Sequence, residues 1–139
     1  MWVRVRVRRP GEGAELAISA YANGGFRAGK PEILLPPPLA ERLGFDIRTA
    51  PLSEGIACGG VHIAARELGE VEVRVHVEDR ETSWVRAQAT CVEGEVEALM
   101  SRELIAALGI IPYYGHAAWR LEDDPPELLR PEAEPQYWP

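Results

Sequence analysis

The stretch that decides the fold runs from Ala20 to Gly44 and reads AYANGGFRAGKPEILLPPPLAERLG. Its Asn-Gly-Gly triplet at 23–25 is a tight-turn sequence, and the apolar run at 33–35 that follows is typical of a short strand. Three prolines then precede an apolar stripe, and Gly44 supplies a C-terminal stop, so a helix is predicted near 37–43. The stretch therefore predicts a loop between two strands, followed at once by a short helix.

The flanking sequence is dominated by alternation, the pattern of half-buried strands. Residues 2–8 place valines on one face and arginines on the other, and residues 14–22 continue the alternation up to Asn23, which predicts a hairpin. A second helix is predicted near 101–108, with Ser101 as its N-cap. The fold class is therefore all-β with small helices. Further strands are predicted at 47–51, 61–68, 71–77, 84–92 and 117–122.

These blocks resemble the retropepsin-like (clan AA) aspartic proteases, especially their small prokaryotic branch, which has a D-T-G-F loop followed by L-x-L-P-x-x-L-A-x-x-L-G. The resemblance implies a closed β-barrel, the acid-protease fold. It also implies a homodimer, because each subunit of such an enzyme donates one aspartate to a shared catalytic pair. The active-site motif here is degenerate: Asn23 stands at the position of the aspartate and Gly24 at that of the threonine or serine. Gly25 and Phe26 keep the family pattern.

Two further blocks extend the resemblance. Ala57, Cys58 and Gly59 lie where the family has the L-A-D-G sequence that leads into a substrate-covering flap, so the resemblance assigns them, with Phe26, to substrate binding. The segment L-M-S-R-E-L at 99–104 matches the late L-I-G-R-D-L block that supports the active-site loop. Ser101 replaces the glycine of that block.

Composition sets the outer limits. The chain has 139 residues, 46% of them hydrophobic, and a net charge of −7, which disfavours nucleic-acid and anionic-membrane partners. One barrel domain is predicted over 1–122, followed by an acidic, proline-rich tail at 123–139. The first residues alternate instead of forming the apolar core of a signal peptide, so a cytoplasmic location is expected. The cysteines and histidines lack metal-ligand spacing, so reduced thiols and no metal or cofactor are expected.

A competing motif lies in the same loop. Residues 24–30 match the phosphate-binding pattern G-x-x-x-x-G-K. Pro31, however, occupies the position of the hydroxyl residue that would bind Mg²⁺, and the proline-rich continuation cannot form the long helix whose N-terminus would hold phosphate. Nucleotide binding is therefore disfavoured.

The sequence leaves three functional hypotheses. The leading one is a catalytically inactive retropepsin-like homodimer whose cleft binds a peptide or scaffolds a protein partner, because an asparagine amide cannot act as the general base. The alternative is an active aspartic endopeptidase, through deamidation of Asn23 at its Asn-Gly bond, through pairing with an Asp-bearing partner, or because the asparagine is engineered. The third is a small β-barrel that serves only assembly. The sequence identifies no ligand under any of them.

Overall fold

The computed structural model describes residues 1–11, 14–56 and 62–139. Within these ranges the chain forms strands and two short α-helices. In chain order they are β1 (Trp2–Arg8), β2 (Glu15–Ala22), β3 (Glu32–Leu35), α1 (Pro37–Arg42), β4 (Leu52–Ile56), β5 (His62–Val75), β6 (Val85–Cys91), β7 (Leu99–Met100), α2 (Arg102–Ala107), β8 (Ile110–Tyr113), β9 (Ala118–Leu121) and β10 (Arg130–Pro131). Short 3₁₀ turns at Ile47–Thr49 and Tyr114–His116 complete the description.

Six of these strands close into a barrel. Their hydrogen-bonded order is β1-β2-β7-β3-β6-β5, and β5 pairs back onto β1, from Val5 opposite Val75 to Arg8 opposite Glu72. Closure leaves the ring without an open side, which removes the unpaired edges of a flat sheet. The predicted fold class, an all-β closed barrel with two small helices, is confirmed.

The alternation of β1 sorts its side chains as predicted. Val3, Val5 and Val7 are fully buried in the barrel, while the arginines between them lie on the outer face. Further members of the core come from all six barrel strands and both helices, among them Ile18, Ile33, Leu39, Val71, Val73, Ala89, Met100 and Leu104. The core therefore lies inside the ring, and buried residues of both helices belong to it.

The boundaries of both helices agree with the prediction from the sequence. Ser101 is the N-cap of α2, and its side chain accepts a hydrogen bond from Leu104 N. Gly44 and Gly109 follow the two helices with φ of 92° and 72°, a region that glycine enters without the steric cost of a side chain. In the described ranges, neither helix has the length or the apolar sequence that crossing a membrane would require.

The C-terminal residues lie against the barrel. β10 pairs with β9 in a second, three-stranded sheet, and Ala133 N donates to Trp2 O at 2.9 Å. Beyond it, Gln136 Oε1 accepts from Ser19 N at 2.9 Å, and Trp138 packs against the core. Trp2, on the outer face of β1, is buried because the tail covers it.

The Arg130 guanidinium, at the start of these C-terminal residues, bonds to two aspartates. Arg130 donates to both carboxylate oxygens of Asp124, at 2.8 and 3.0 Å, and to both of Asp79, at 2.7 and 3.0 Å. The Arg130 hydrogen bonds lower the pKa of the buried Asp124 to about 2. The pairing therefore joins the loop after β5 to the segment between β9 and β10.

The strand predicted at 47–51 and the break predicted between the strands at 61–68 and 71–77 were wrong. Ile47 to Pro51 begins as a 3₁₀ turn, because the Asp46 side chain accepts from Arg48 N at 3.1 Å and caps it. The separate strands predicted at 61–68 and 71–77 are one continuous strand, β5, over its described part. Its pairing with β6 shifts register between Glu67 and Gly69, so a bulge takes up the extra residue instead of a turn.

Candidate functional site

The order of the strands brings together the two ends of the Asn23 loop, which covers residues 23–31. β7 lies between β2 and β3: Ala22 pairs with Met100 on one side, and Ile33 pairs with the same Met100 on the other. The loop at 23–31 leaves the barrel beside β7 and returns to it on the opposite side of that strand. Asn23 N donates to Met100 O at 3.3 Å, so the loop begins as a continuation of the sheet.

The Asn23 side chain forms the turn itself. Its Oδ1 accepts from Gly25 N at 3.0 Å, and its backbone oxygen accepts from Phe26 N at 3.0 Å. An asparagine oxygen bonded to the amide two residues ahead is the Asx turn, which aspartate also forms. Asn23 is half-buried, while Gly24 and Gly25 are exposed at the tip. The side-chain oxygen therefore accepts one hydrogen bond from the loop itself, and the Nδ2 group makes no hydrogen bond to any residue in the described ranges.

The first turn of α2 supports this loop. Arg102 N donates to Phe26 O at 2.8 Å, and Ala28 N donates to Glu103 Oε1 at 3.1 Å. The Glu103 carboxylate accepts from its own backbone N–H and from that of Ala28, and these bonds lower the pKa of Glu103. The sequence block at 99–104 therefore contacts the loop in the way the family resemblance implied.

Ser101 connects the Asn23 loop to α2 through buried hydrogen bonds. Its fully buried hydroxyl oxygen accepts from Glu32 N at 2.9 Å and from Leu104 N at 3.2 Å, and it donates to Lys30 O at 3.2 Å. These three bonds connect the last residues of the loop to the N-terminus of α2. A glycine at this position would leave all three partners without the hydroxyl.

β3, the strand that follows the Asn23 loop, carries a carboxyl group with a raised pKa, that of Glu32. Burial raises the pKa of Glu32, and the neighbouring Glu67 carboxylate raises it further. Thr90 Oγ1 lies 3.4 Å from Glu32 Oε2. This group lies on the outer face of the barrel, at the end of the loop opposite Asn23. Within the described part of the chain, no three histidine, cysteine or acidic side chains are grouped so as to hold a metal ion.

Sequence reasoning missed one neighbour of the loop. A Cβ built on Gly24 would lie 3.6 Å from the hydroxyl of Tyr114, the first residue of the 3₁₀ turn after β8. This distance is an ordinary van der Waals contact, so a side chain at position 24 would fit. No sequence signal linked positions 24 and 114, because 90 residues separate them and neither belongs to a periodic pattern.

β4 and the first part of β5 form a two-stranded arm that extends from the barrel. β4 pairs with the first part of β5, from Leu52 opposite Arg66 to Ile56 opposite His62, while β6 pairs with β5 only from Arg66 onward. The predicted substrate-binding residues Ala57, Cys58 and Gly59 fall between β4 and β5 and lie outside the described residues. The β4–β5 pair lies in the part of the sequence where the flap hairpin is predicted, and a role as a flap stays a prediction.

The described site offers binding groups but no general base at position 23. A carboxamide does not take up a proton at neutral pH, so Asn23 cannot activate water as a carboxylate does. It offers two N–H donors on a side chain fixed by the turn. Chemically, an amide at this position can both donate and accept hydrogen bonds but cannot take up a proton.

Among solved structures, the chain is similar to the retroviral protease-like domain of Ddi1 from Leishmania major. The match has a TM-score of 0.49 and 12% sequence identity, and it covers 100% of this chain and 95% of that one. No protein-family model matches the chain, and no curated protein matches it.

Proposed function

We propose that this protein is a catalytically inactive, retropepsin-like homodimer whose two Asn23 loops form a cleft that binds an extended peptide or a protein segment. The observation that carries the proposal is the Asn23 turn. The asparagine keeps the hydrogen bond to Gly25 that an aspartate would make, so the loop keeps its shape without the carboxylate that general acid–base chemistry needs.

The surroundings of the loop also support a retained binding site. The Ser101 and Glu103 contacts hold the loop between β7 and α2, and the β4–β5 arm projects from the same barrel. These contacts preserve the geometry of the loop whether or not the loop has catalytic activity. The homodimer belongs to the proposal because a single loop supplies only half of a two-fold cleft.

The test compares the natural chain with a restored one. The natural protein and the double variant Asn23→Asp, Gly24→Thr are incubated with a proteome-derived peptide library from about pH 3 to about pH 8, and products are read by mass spectrometry. We expect no cleavage by the natural chain at any pH, and at least about 100-fold more by the variant. Sequence-selective, pH-dependent cleavage by the natural chain sinks the proposal of inactivity.

Assembly is tested separately. Sedimentation of the natural protein should give a dimer, and a crystal structure with its symmetry applied should bring the two Asn23 side chains within a few ångströms of each other across a two-fold axis. A monomer, or a dimer with distant Asn23 residues, would leave a barrel without a shared cleft.

The second candidate is an active aspartic endopeptidase formed by deamidation of Asn23 or by pairing with an Asp-bearing partner. The observation in its favour is the exposed, side-chain-free Gly24 that follows Asn23, because such a glycine lets its backbone nitrogen approach the amide carbon. Asn23 is the only asparagine in the chain, so peptide mapping of fresh and aged protein reports on one site. An intact amide in a cleaving preparation eliminates the deamidation route.

A further inference from the structure

The outer face of the barrel carries a group of cations where β1 meets β5. In this antiparallel pair Arg6 lies directly opposite Arg74. His76 N donates to Arg4 O at 2.9 Å, which makes Arg4 and His76 neighbours on the same two strands. Like charges that face each other across a sheet destabilise it, so the pairing of Arg6 with Arg74 is unfavourable unless other charges compensate it.

The chain compensates only part of this charge. Two arginines of β1 have glutamate partners on neighbouring strands, in the ion pairs Arg6–Glu15 at 3.2 Å and Arg8–Glu72 at 3.0 Å. Arg4 has only a 3.5 Å contact with Ser19 Oγ, and neither Arg4 nor Arg74 forms an ion pair with any residue that the structure describes. Four arginines and two glutamates therefore leave two positive charges on this face, in a chain whose net charge is −7.

Trp84 positions the Arg74 guanidinium. Arg74 Cζ lies 4.8 Å from the centroid of the Trp84 ring, and Arg8 Cζ lies 3.8 Å from the same centroid. A guanidinium over an aromatic face keeps the N–H bonds at its edge free for a bidentate acceptor. The Arg74 side chain makes no hydrogen bond within the described part of the chain, so it combines a supported position with unused donors.

His76 shows that these cations act at one place. Arg6 Nε donates to His76 Nδ1 at 3.3 Å, so the neutral imidazole carries its proton on Nε2, where it can donate. Burial lowers the pKa of His76, and the positive charge of Arg6 lowers it further. Arg4 and Arg74 act in the same direction, and Glu78 opposes them. Three guanidinium groups therefore lie close enough to affect one imidazole.

A cavity of about 350 Å³ opens beside these side chains. Its lining includes three residues of the group, Arg6, Arg74 and His76, and the loop that follows β5. In that loop Asp79 and Arg80 are held in ion pairs with C-terminal residues. Glu78 and Glu81 also line the cavity and are exposed. Because their carboxylates repel a long polyanion, the cavity is suited to a small anion.

We propose that Arg6, Arg74 and His76 form a binding site for the phosphate group of a small phosphomonoester. Arg74 supplies the free donors of a positioned guanidinium, His76 supplies Nε2–H, and Arg4 adds positive potential. The two uncompensated charges match the charge of about −2 that a phosphomonoester carries at neutral pH, whereas a carboxylate would neutralise one of them. The site needs neither the Asn23 loop nor a second subunit.

The experiment follows the His76 ring by NMR at constant ionic strength and about pH 7.5, where a phosphomonoester is a dianion. The chain has three histidines, and the exposed His116 serves as the internal reference. The probes are methyl phosphate, inorganic phosphate as the free source of the same group, acetate as a carboxylate, and chloride. The natural chain is compared with Arg74→Gln, with Arg4→Gln, and with Arg48→Gln, which removes an exposed arginine outside the group.

We expect methyl phosphate to shift the His76 signals along a saturable curve and to leave those of His116 in place. Arg74→Gln should raise the dissociation constant about tenfold to hundredfold, the effect of losing a hydrogen bond to a charged group. Arg4→Gln should raise it about twofold to fivefold through charge alone, and Arg48→Gln should leave it unchanged. The bound dianion should also raise the pKa of His76, because it favours the imidazolium form.

Several results would overturn the proposal. A shift that grows linearly with every anion, chloride included, would show charge screening only, and the natural chain alone decides this even if a variant fails to fold. Equal weakening by Arg74→Gln and Arg48→Gln would mean that the loss of any positive charge suffices. Acetate binding as tightly as methyl phosphate would overturn the phosphate assignment, and tighter binding of inorganic phosphate would overturn the ester. A monomer that binds methyl phosphate supports this site while the homodimeric cleft fails.

Discussion

The hydroxyl oxygen of Ser101 lies 2.9 Å from the backbone nitrogen of Glu32, a residue 69 positions earlier in the chain. This contact joins the N-cap of α2 to the strand that receives the Asn23 loop. One buried oxygen therefore stabilises a helix and fixes the return of the candidate site to the barrel. The loop and the helix should lose stability together when it is removed.

Ser101→Ala should lower the free energy of unfolding by about 2–4 kcal/mol, because it removes a helix N-cap and leaves a buried backbone N–H at Glu32 without its partner. Urea unfolding at neutral pH measures the difference. Ser83→Ala is the control, since Ser83 is exposed and makes no side-chain hydrogen bond within the described residues. Equal unfolding free energies for both variants would show that the three bonds contribute little.

Glu103 should make the order of the Asn23 loop depend on pH. Its backbone hydrogen bonds hold the pKa of this carboxyl below the ordinary 4.5, so its stabilising contribution is present above that value and is lost as pH falls through the lowered value. The protection factor of the Ala28 amide, which is its intrinsic exchange rate at a given pH divided by its observed rate, should fall severalfold under such acidic conditions. Glu103→Gln should weaken the protection at neutral pH and remove this pH dependence, whereas Glu127→Gln, an exposed site away from the loop, should do neither.

Arg130→Gln should destabilise the fold by about 3 kcal/mol, because it leaves the buried Asp124 carboxylate without its main partner. In the natural chain the lowered pKa of Asp124, about 2, gives stability that is fully present above the ordinary 3.8 and is lost as pH falls from there toward 2. In Arg130→Gln, acid unfolding followed by circular dichroism should therefore lack the loss of stability that the natural chain shows between pH 3.8 and about 2. Arg86→Gln removes only an exposed pair at 3.7 Å and should change stability by less than about 0.5 kcal/mol.

Two glycines should respond differently to alanine. Gly24→Ala should be close to neutral, because its Cβ would meet nothing nearer than the Tyr114 hydroxyl at 3.6 Å. Gly109→Ala should cost about 1–2 kcal/mol, because its φ is 72° and its Cβ would lie 3.2 Å from Glu122 Cγ. Thermal unfolding of the two variants side by side measures the contrast. A larger loss from Gly24→Ala would mean that the loop tolerates no side chain.

Local signals explain what the sequence predicted well. The alternation in β1 and β2, the prolines before α1 and the Ser101 cap each act within a few residues, and each of these elements was predicted. The position of Asn23 at the end of β2 followed from the same alternation. The order of the matched sequence blocks then indicated a closed barrel.

The errors and omissions depend on distant partners. β7 has only two residues and exists because β2 and β3 flank it, so no periodicity could reveal it. The bulge at 67–69 was mistaken for a turn because Gly69, with φ of 117°, has the sequence character of both. The approach of Tyr114 to Gly24 likewise arises from the meeting of separate segments.

The pairing of β1 with β5 also constrains the order in which the chain can fold. Val5 lies opposite Val75, so the ring cannot close until a segment about half the chain away has been synthesised. The segment that covers Trp2 comes later still, because its contact is made by Ala133. The valine face of β1 therefore stays without its β5 neighbour until residue 75 has been synthesised, and Trp2 stays uncovered until residue 133 has followed.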